Sequence, residues 1–144
     1  MLVALGATVA LDQVTKAIIV ANVERGQDIN VFLALDITNV RNTGVAFGAF
    51  AGAAVPIVAA SALALTGLLA YFALNLRERW LWLPVGAILG GAIANLADRA
   101  REGAVIDFID PLGWPAFNVA DIAIVLGVLG LLYVVDSPRR RGED

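Results

Sequence analysis

The stretch EGAVIDFIDPLGWPAFNVADIAIVLGVLGLLYVV, residues 102–135, decides how the whole chain is read. It sets Asp107, Asp110 and Asp121 among apolar and aromatic residues, and from Ile122 to Val135 it carries no charge. A helix needs about 20 apolar residues to cross a bilayer core of about 30 Å. A carboxylate at the mouth of such a run is costly to bury, so its presence there calls for a function.

Working outward, three further apolar blocks can be marked: MLVALGATVALDQVTKAIIVA, AVPIVAASALALTGLLAYFALNL and LWLPVGAILGGAIANLA. With the last block they predict spans over residues 1–21, 54–76, 81–98 and 118–136, with an insert at 22–53. The 144 residues are 60% hydrophobic and the mean hydropathy is +0.81, well above a soluble domain. The reading is a single membrane domain, residues 1–144, all-α, with four transmembrane helices and a small extracytoplasmic β/loop subdomain between helices 1 and 2. No Lys or Arg precedes Lys16 and Asp12 interrupts the first block, so it reads as a retained helix rather than a signal peptide.

Arg77, Arg79, Arg139, Arg140 and Arg141 would face one side of the membrane, and Arg25, Arg41, Arg99 and Arg101 the other. That bias of five against four places both termini inside. The net charge of −3 gives no nucleic-acid signal.

The insert, NVERGQDINVFLALDITNVRNTGVAFGAFAGA, alternates through Val31, Leu33, Leu35, Ile37 and Asn39 and then offers RNTG as a turn signal. It reads as a small sheet or hairpin on the outer membrane surface, with VAFGAF as an apolar tip, or else as a plain connector.

The chemical inventory is short. His and Cys are both absent, which removes a Ser-His triad, a Cys nucleophile, a disulfide framework and an HExxH zinc site. The two serines, Ser61 and Ser137, leave only a Ser61–Lys16 pair as a nucleophile and base. Asp12 and Lys16 stand i, i+4 with the acid first, either neutralising one another or serving a site. Asn95 and Asp98 share a helix face, and Arg99 is the nearest ion-pair partner for Asp98, which favours scaffolding. Asp107 lies between Ile106 and Phe108, an apolar setting that raises a carboxyl pKa, whereas Asp110 before Pro111 reads as a turn residue.

Asn118 and Asp121 fit an N-cap with an acidic N3 residue, which needs no chemistry. Taken alone the cap is the commoner reading; against it, the short loop with Pro111, Gly113 and Pro115 can fold back so that Asp107 and Asp121 converge, share a proton and act as general acid and base without a metal or cofactor. A small proton-coupled transporter and a purely structural module remain alternatives on these residues.

Five motifs in order, DQVTK (12–16), NTGVAFG (42–48), GGAIANLADR (90–99), VIDF (105–108) and FNVAD (117–121), resemble the lipoprotein signal peptidases of bacteria, signal peptidase II. The resemblance implies an intramembrane aspartyl endopeptidase of the cytoplasmic (inner) membrane, with its active site near the extracytoplasmic face. It would remove signal peptides from diacylglyceryl-modified prolipoproteins, cutting before the lipidated Cys. It implies Asp107 and Asp121 as the catalytic pair. Asp12, Lys16, Asn42, Gly44, Asn95, Asp98, Arg99, Asn118 and Ala120 would shape or support the site. It further implies that residues 22–53 form a cradle and amphipathic helix clamping substrate, that membrane lipid surrounds the protein, and that globomycin-type inhibitors occupy the site. Two departures stand out: Ala94 replaces the glycine usual before the motif asparagine, and few residues precede the first span.

Overall fold

The computed structural model describes residues 1–43, 66, 67, 70, 71, 74 and 80–136. The described elements run α1 (Leu2–Asn22), β1 (Asp28–Phe32), β2 (Leu35–Asn42), α2 (Trp82–Glu102), β3 (Val105–Pro111) and α3 (Val119–Val135). The block at 54–76 lies mostly outside the described residues, and Thr66, Gly67, Ala70, Tyr71 and Leu74 within it are helical. Gly44, the VAFGAF tip, Ser61, Arg77, Arg79 and Arg139 to Arg141 also lie outside them.

Helix α1 is built the opposite way round from a helix of a water-soluble protein. Its buried residues are Ala4, Asp12 and Lys16, while Leu2, Val3, Leu11, Val14 and Ile18 are exposed. A helix that turns its charges inward and its aliphatic side chains outward is stable where the surroundings are apolar. Among the described residues α1, at 21 residues, is the one helix both long and apolar enough to span a bilayer by length and composition. Helix α3 is apolar but has 17 residues, and α2 carries Asp98, Arg99, Arg101 and Glu102 in its last turns.

Helix α2 packs between α1 and α3. Its glycines permit the approach: a Cβ at Gly90 would come within 2.7 Å of Thr8 Cβ, and one at Gly91 within 2.5 Å of the Ala120 carbonyl oxygen. Small residues at crossings are how helices associate where burial of apolar surface offers no gain over lipid. Gly103, at φ 72°, ends α2 in the left-handed region and lets the chain turn directly into β3.

The three strands form one antiparallel sheet in the order β1-β2-β3. Four expectations are corrected here. The β subdomain is not confined to the segment between the first two helices, because residues 105–111 supply its third strand. Asp110 is not a turn residue; it lies in β3 opposite Asp36 of β2. The alternation through Val31 to Asn39 is not one strand, because Leu33 adopts φ 45° and the chain reverses between Phe32 and Leu35. Arg41 and Asn42, expected in a turn, close the end of β2.

Candidate active site

Four carboxyls gather where α1, α2, β3 and α3 meet. They divide into two pairs by what faces them.

Asp12 and Asp98 share one cation. Lys16, 2% exposed, places its Nζ 2.8 Å from Asp12 Oδ2 and 2.7 Å from Asp98 Oδ2. The remaining lone pairs are also met. Asp12 Oδ1 accepts from the Ala120 backbone N–H at 2.9 Å, and Asp98 accepts from Gln13 Nε2 at 2.9 Å and from the Ile106 N–H at 3.3 Å. The partner of Asp98 is therefore Lys16 and not Arg99, and Asp12 of α1 meets Asp98 of α2 at the same ammonium. Breaking such a pair leaves a buried charge uncompensated, which makes the cluster a clamp between α1, α2 and α3.

Asp107 and Asp121 have no cation within ion-pair distance among the described residues. Asp107, 2% exposed, accepts from Asn118 Nδ2 at 2.6 Å on one oxygen and from Asn42 Nδ2 at 2.8 Å on the other. Asn42 reaches it because β2 pairs Val40 with Asp107, putting Asn42 diagonally across the ladder. Asp121 Oδ1 accepts from Asn95 Nδ2 at 2.9 Å, and Oδ2 accepts from the Asn118 backbone N–H at 3.2 Å. Burial pushes the Asp107 carboxyl above the ordinary aspartate value against the pull of its two amide donors; the charge of Asp121 pushes the same way, and the Lys16 ammonium, beyond ion-pair distance, pulls weakly against it.

Asn118 joins the two carboxyls. It caps α3 by accepting from the Asp121 N–H at 3.1 Å, completes a capping box with Asp121, and donates to Asp107. The cap and the convergence of carboxyls, alternatives in the sequence, are one arrangement. Asn95 joins the two groups: its Oδ1 accepts from Lys16 Nζ at 3.1 Å and from Asn118 Nδ2 at 3.2 Å. Ala94, wholly buried, is accommodated without moving Asn95 off Asp121.

Beside Asp121 an apolar groove of about 300 Å³ runs along Trp114, Phe117, Ile122, Val125 and Leu126. Of the sequence candidates, Asp12, Lys16, Asn42, Asn95, Asp98, Asn118, Ala120 and both candidate catalytic residues meet in this seam. Arg99 contributes no contact to either pair, and Gly44 lies outside the described residues. Gln13 was missed, although a polar residue next to Asp12 in an apolar run was a readable signal. It bridges Asp98 and Arg101. Asn39 was read only as part of an alternation, yet its side chain donates to the Val23 carbonyl at 2.7 Å and ties β2 to the end of α1.

Comparison with known proteins decides the family. The model for signal peptidase II matches residues 4–136, a stretch that takes in every element above save the first two residues of α1. The chain belongs to the signal peptidase II family. Lipoprotein signal peptidases of Dehalococcoides mccartyi and Pelotomaculum thermopropionicum are 40% and 38% identical to it, over 88% and 87% of this chain and 83% and 84% of theirs. A relative from Syntrophus aciditrophicus is 37% identical over 99% of this chain and 94% of its own. Two solved bacterial membrane enzymes share the fold. One has a TM-score of 0.82 at 27% identity, covering 99% of this chain and 90% of its own. The other has 0.78 at 30%, covering 94% and 91%. As a signal peptidase II the chain is a protease and a membrane enzyme. The transporter and purely structural readings fall away.

Proposed function

We propose that the chain is an aspartyl endopeptidase that removes signal peptides from diacylglyceryl-modified prolipoproteins, cutting before the lipidated Cys. The observation that carries this reading is the pair Asp107 and Asp121, held by amides and one backbone N–H with no cation within ion-pair distance among the described residues, while the neighbouring Asp12 and Asp98 are spent on Lys16. Carboxyls free of a permanent counter-charge can exchange protons; neutralised ones cannot do so cheaply.

In this mechanism Asp107 bears the proton at rest, in keeping with its burial, and Asp121 acts as the base. Asp121 takes a proton from water as the water oxygen attacks the scissile carbonyl, and Asp107 gives its proton to the carbonyl oxygen. Collapse of the tetrahedral intermediate returns the proton from that oxygen to Asp107, while Asp121 passes its own to the departing amine. The C–N bond breaks, leaving the signal peptide as a carboxylic acid and the lipidated Cys with a free amine. Asn42, Asn95 and Asn118 fix the four carboxyl oxygens throughout. No cofactor enters.

The groove beside Asp121 suits an apolar segment of the substrate. The architecture we infer is a single domain over 1–144, with four spans near 1–21, 54–76, 81–98 and 118–136 and the extracytoplasmic insert at 22–53. Both termini lie in the cytoplasm, the site faces the outer side of the inner membrane, and globomycin-type inhibitors compete there. The test is mass spectrometry of the products when purified protein meets a diacylglyceryl-modified prolipoprotein in detergent. A new N-terminus at the lipidated Cys is expected. An inert protein, or a cut elsewhere, overturns the reading.

A further inference from the structure

The sheet runs outward from the site and ends in apolar residues. Between Asp107 and Pro111, β3 covers four residue steps, about 13 Å at roughly 3.3 Å per residue, so the far end stands well clear of the carboxyls. There the β1–β2 reversal presents Phe32 and Leu33, and the turn after β3 presents Leu112 and Trp114, all exposed; Leu33 is 82% and Leu112 86% open. The two turns belong together, since the Leu112 N–H donates to the Ala34 carbonyl at 2.8 Å and Leu35 pairs with Pro111.

Leu33 is notable because its backbone resists it. At φ 45° it occupies a left-handed region that suits Gly or Asn and strains residues with a Cβ. A branched apolar side chain kept at a strained and exposed position implies a partner for that side chain. The partner's chemistry follows from continuity. Trp114 also lines the groove along Ile122, Val125 and Leu126 of α3, and those residues continue into the exposed apolar face of that helix at Leu129. One exposed apolar surface thus extends from the bilayer helix to the tip of the sheet.

We propose that this tip, Leu33 with Phe32, Leu112 and Trp114, inserts into the outer leaflet and pins the sheet to the lipid surface. The proposal goes beyond the peptidase reading; it rests on the membrane placement of α3 and not on the chemistry of Asp107 and Asp121. Asp36 and Asp110 face each other one pair inward from Leu35 and Pro111, and carboxylates there must stay hydrated, so insertion is shallow. No Lys or Arg lies in the two turns, so the attachment needs no anionic lipid. Anionic lipid weakens it, because Asp36 and Asp110 repel it.

The absence of Cys makes the test direct, since each introduced Cys is the sole labelling site. Leu33→Cys, Leu112→Cys and, as a reference in α3, Leu129→Cys are spin-labelled in the full chain. Each is placed in phosphatidylcholine nanodiscs, and its collisional accessibility to oxygen is compared with that to a water-soluble nickel complex. The depth scale is set by lipids labelled at the headgroup. Labels at 33 and 112 lying below the headgroup label without substrate, and shallower than 129, are expected; a shift toward water when phosphatidylglycerol is added supports the shallow placement. Labels at 33 and 112 as open to nickel as the headgroup, with 129 deep, overturn the anchor and leave the membrane reading intact. Protection at 33 appearing only when prolipoprotein is added overturns it in favour of substrate contact. A water-exposed 129 overturns the membrane placement itself. Leu33→Gly, which relieves the strained φ, is expected to keep its Tm in detergent while the label at 112 rises toward water; an unmoved label at 112 overturns the role of Leu33.

Discussion

Within one polar seam the chain treats two pairs of acids in different ways. Asp12 and Asp98 close on Lys16 and fasten three helices, whereas among the described residues Asp107 and Asp121 meet amides and a backbone N–H, with no cation at ion-pair distance. Both pairs are largely withdrawn from water, so burial alone does not separate structural from chemical carboxylates. The presence of a cation does. Asn95 stands between the pairs, donating to Asp121 while accepting from Lys16, so the clamp also sets the position of the base.

The contrast can be broken most violently at Lys16. Lys16→Met strands two buried carboxylates and is expected to cost about 3–5 kcal/mol, seen as loss of folded protein or a large fall in Tm in detergent. Asp98→Asn removes a negative charge from a cluster that carries one in excess, so its Tm is expected to fall less than that of Lys16→Met; the reverse order would break the assignment of Lys16 as the shared counter-ion.

At the junction, Asn118→Ala removes the α3 cap, worth about 1 kcal/mol, together with a donor to Asp107. A modest fall in Tm and a much larger fall in cleavage are expected. Equal fractional losses would reduce Asn118 to a cap.

Titration sharpens the comparison from the Asp107 side. Its native pKa is raised, so the folded state keeps a proton that the unfolded chain gives up near the ordinary aspartate value of about 4. The stability held below that value is lost as pH rises through the native pKa. Thermal melts from pH 4 to 7 should therefore show wild type falling relative to Asp107→Asn. A constant gap would contradict the burial of a protonated Asp107. The smallest effect is expected at Asp110, in the sheet and outside both pairs: Asp110→Asn should change stability by no more than about 0.5 kcal/mol and leave cleavage near wild type.

Much of this arrangement was legible in residue spacing. Asp12 and Lys16 at i, i+4 gave the clamp's first half, and Asn118 followed by Asp121 gave the capping box. The second half of the clamp was not legible, because Lys16 reaches Asp98 across a helix crossing made possible by glycines, and sequence offers Arg99 next door instead. The third strand escaped for a related reason. VIDFIDP has acids and a proline where a free-standing strand would be weak, and it becomes a strand only because β2 supplies a partner more than sixty residues earlier in the chain. Leu33 misled the reading of the hairpin, since a two-residue turn usually announces itself with Gly or Asn.

The central claim is that the cation-free pair performs the reaction. It is tested most directly by single-turnover cleavage of a diacylglyceryl-modified prolipoprotein by wild type, Asp107→Asn and Asp121→Asn, with the Tm of each measured beside it. Both variants are predicted to fold with a Tm near wild type and to lose cleavage by a factor of about 10²–10⁴ or more. Wild-type cleavage by either folded variant would contradict the account.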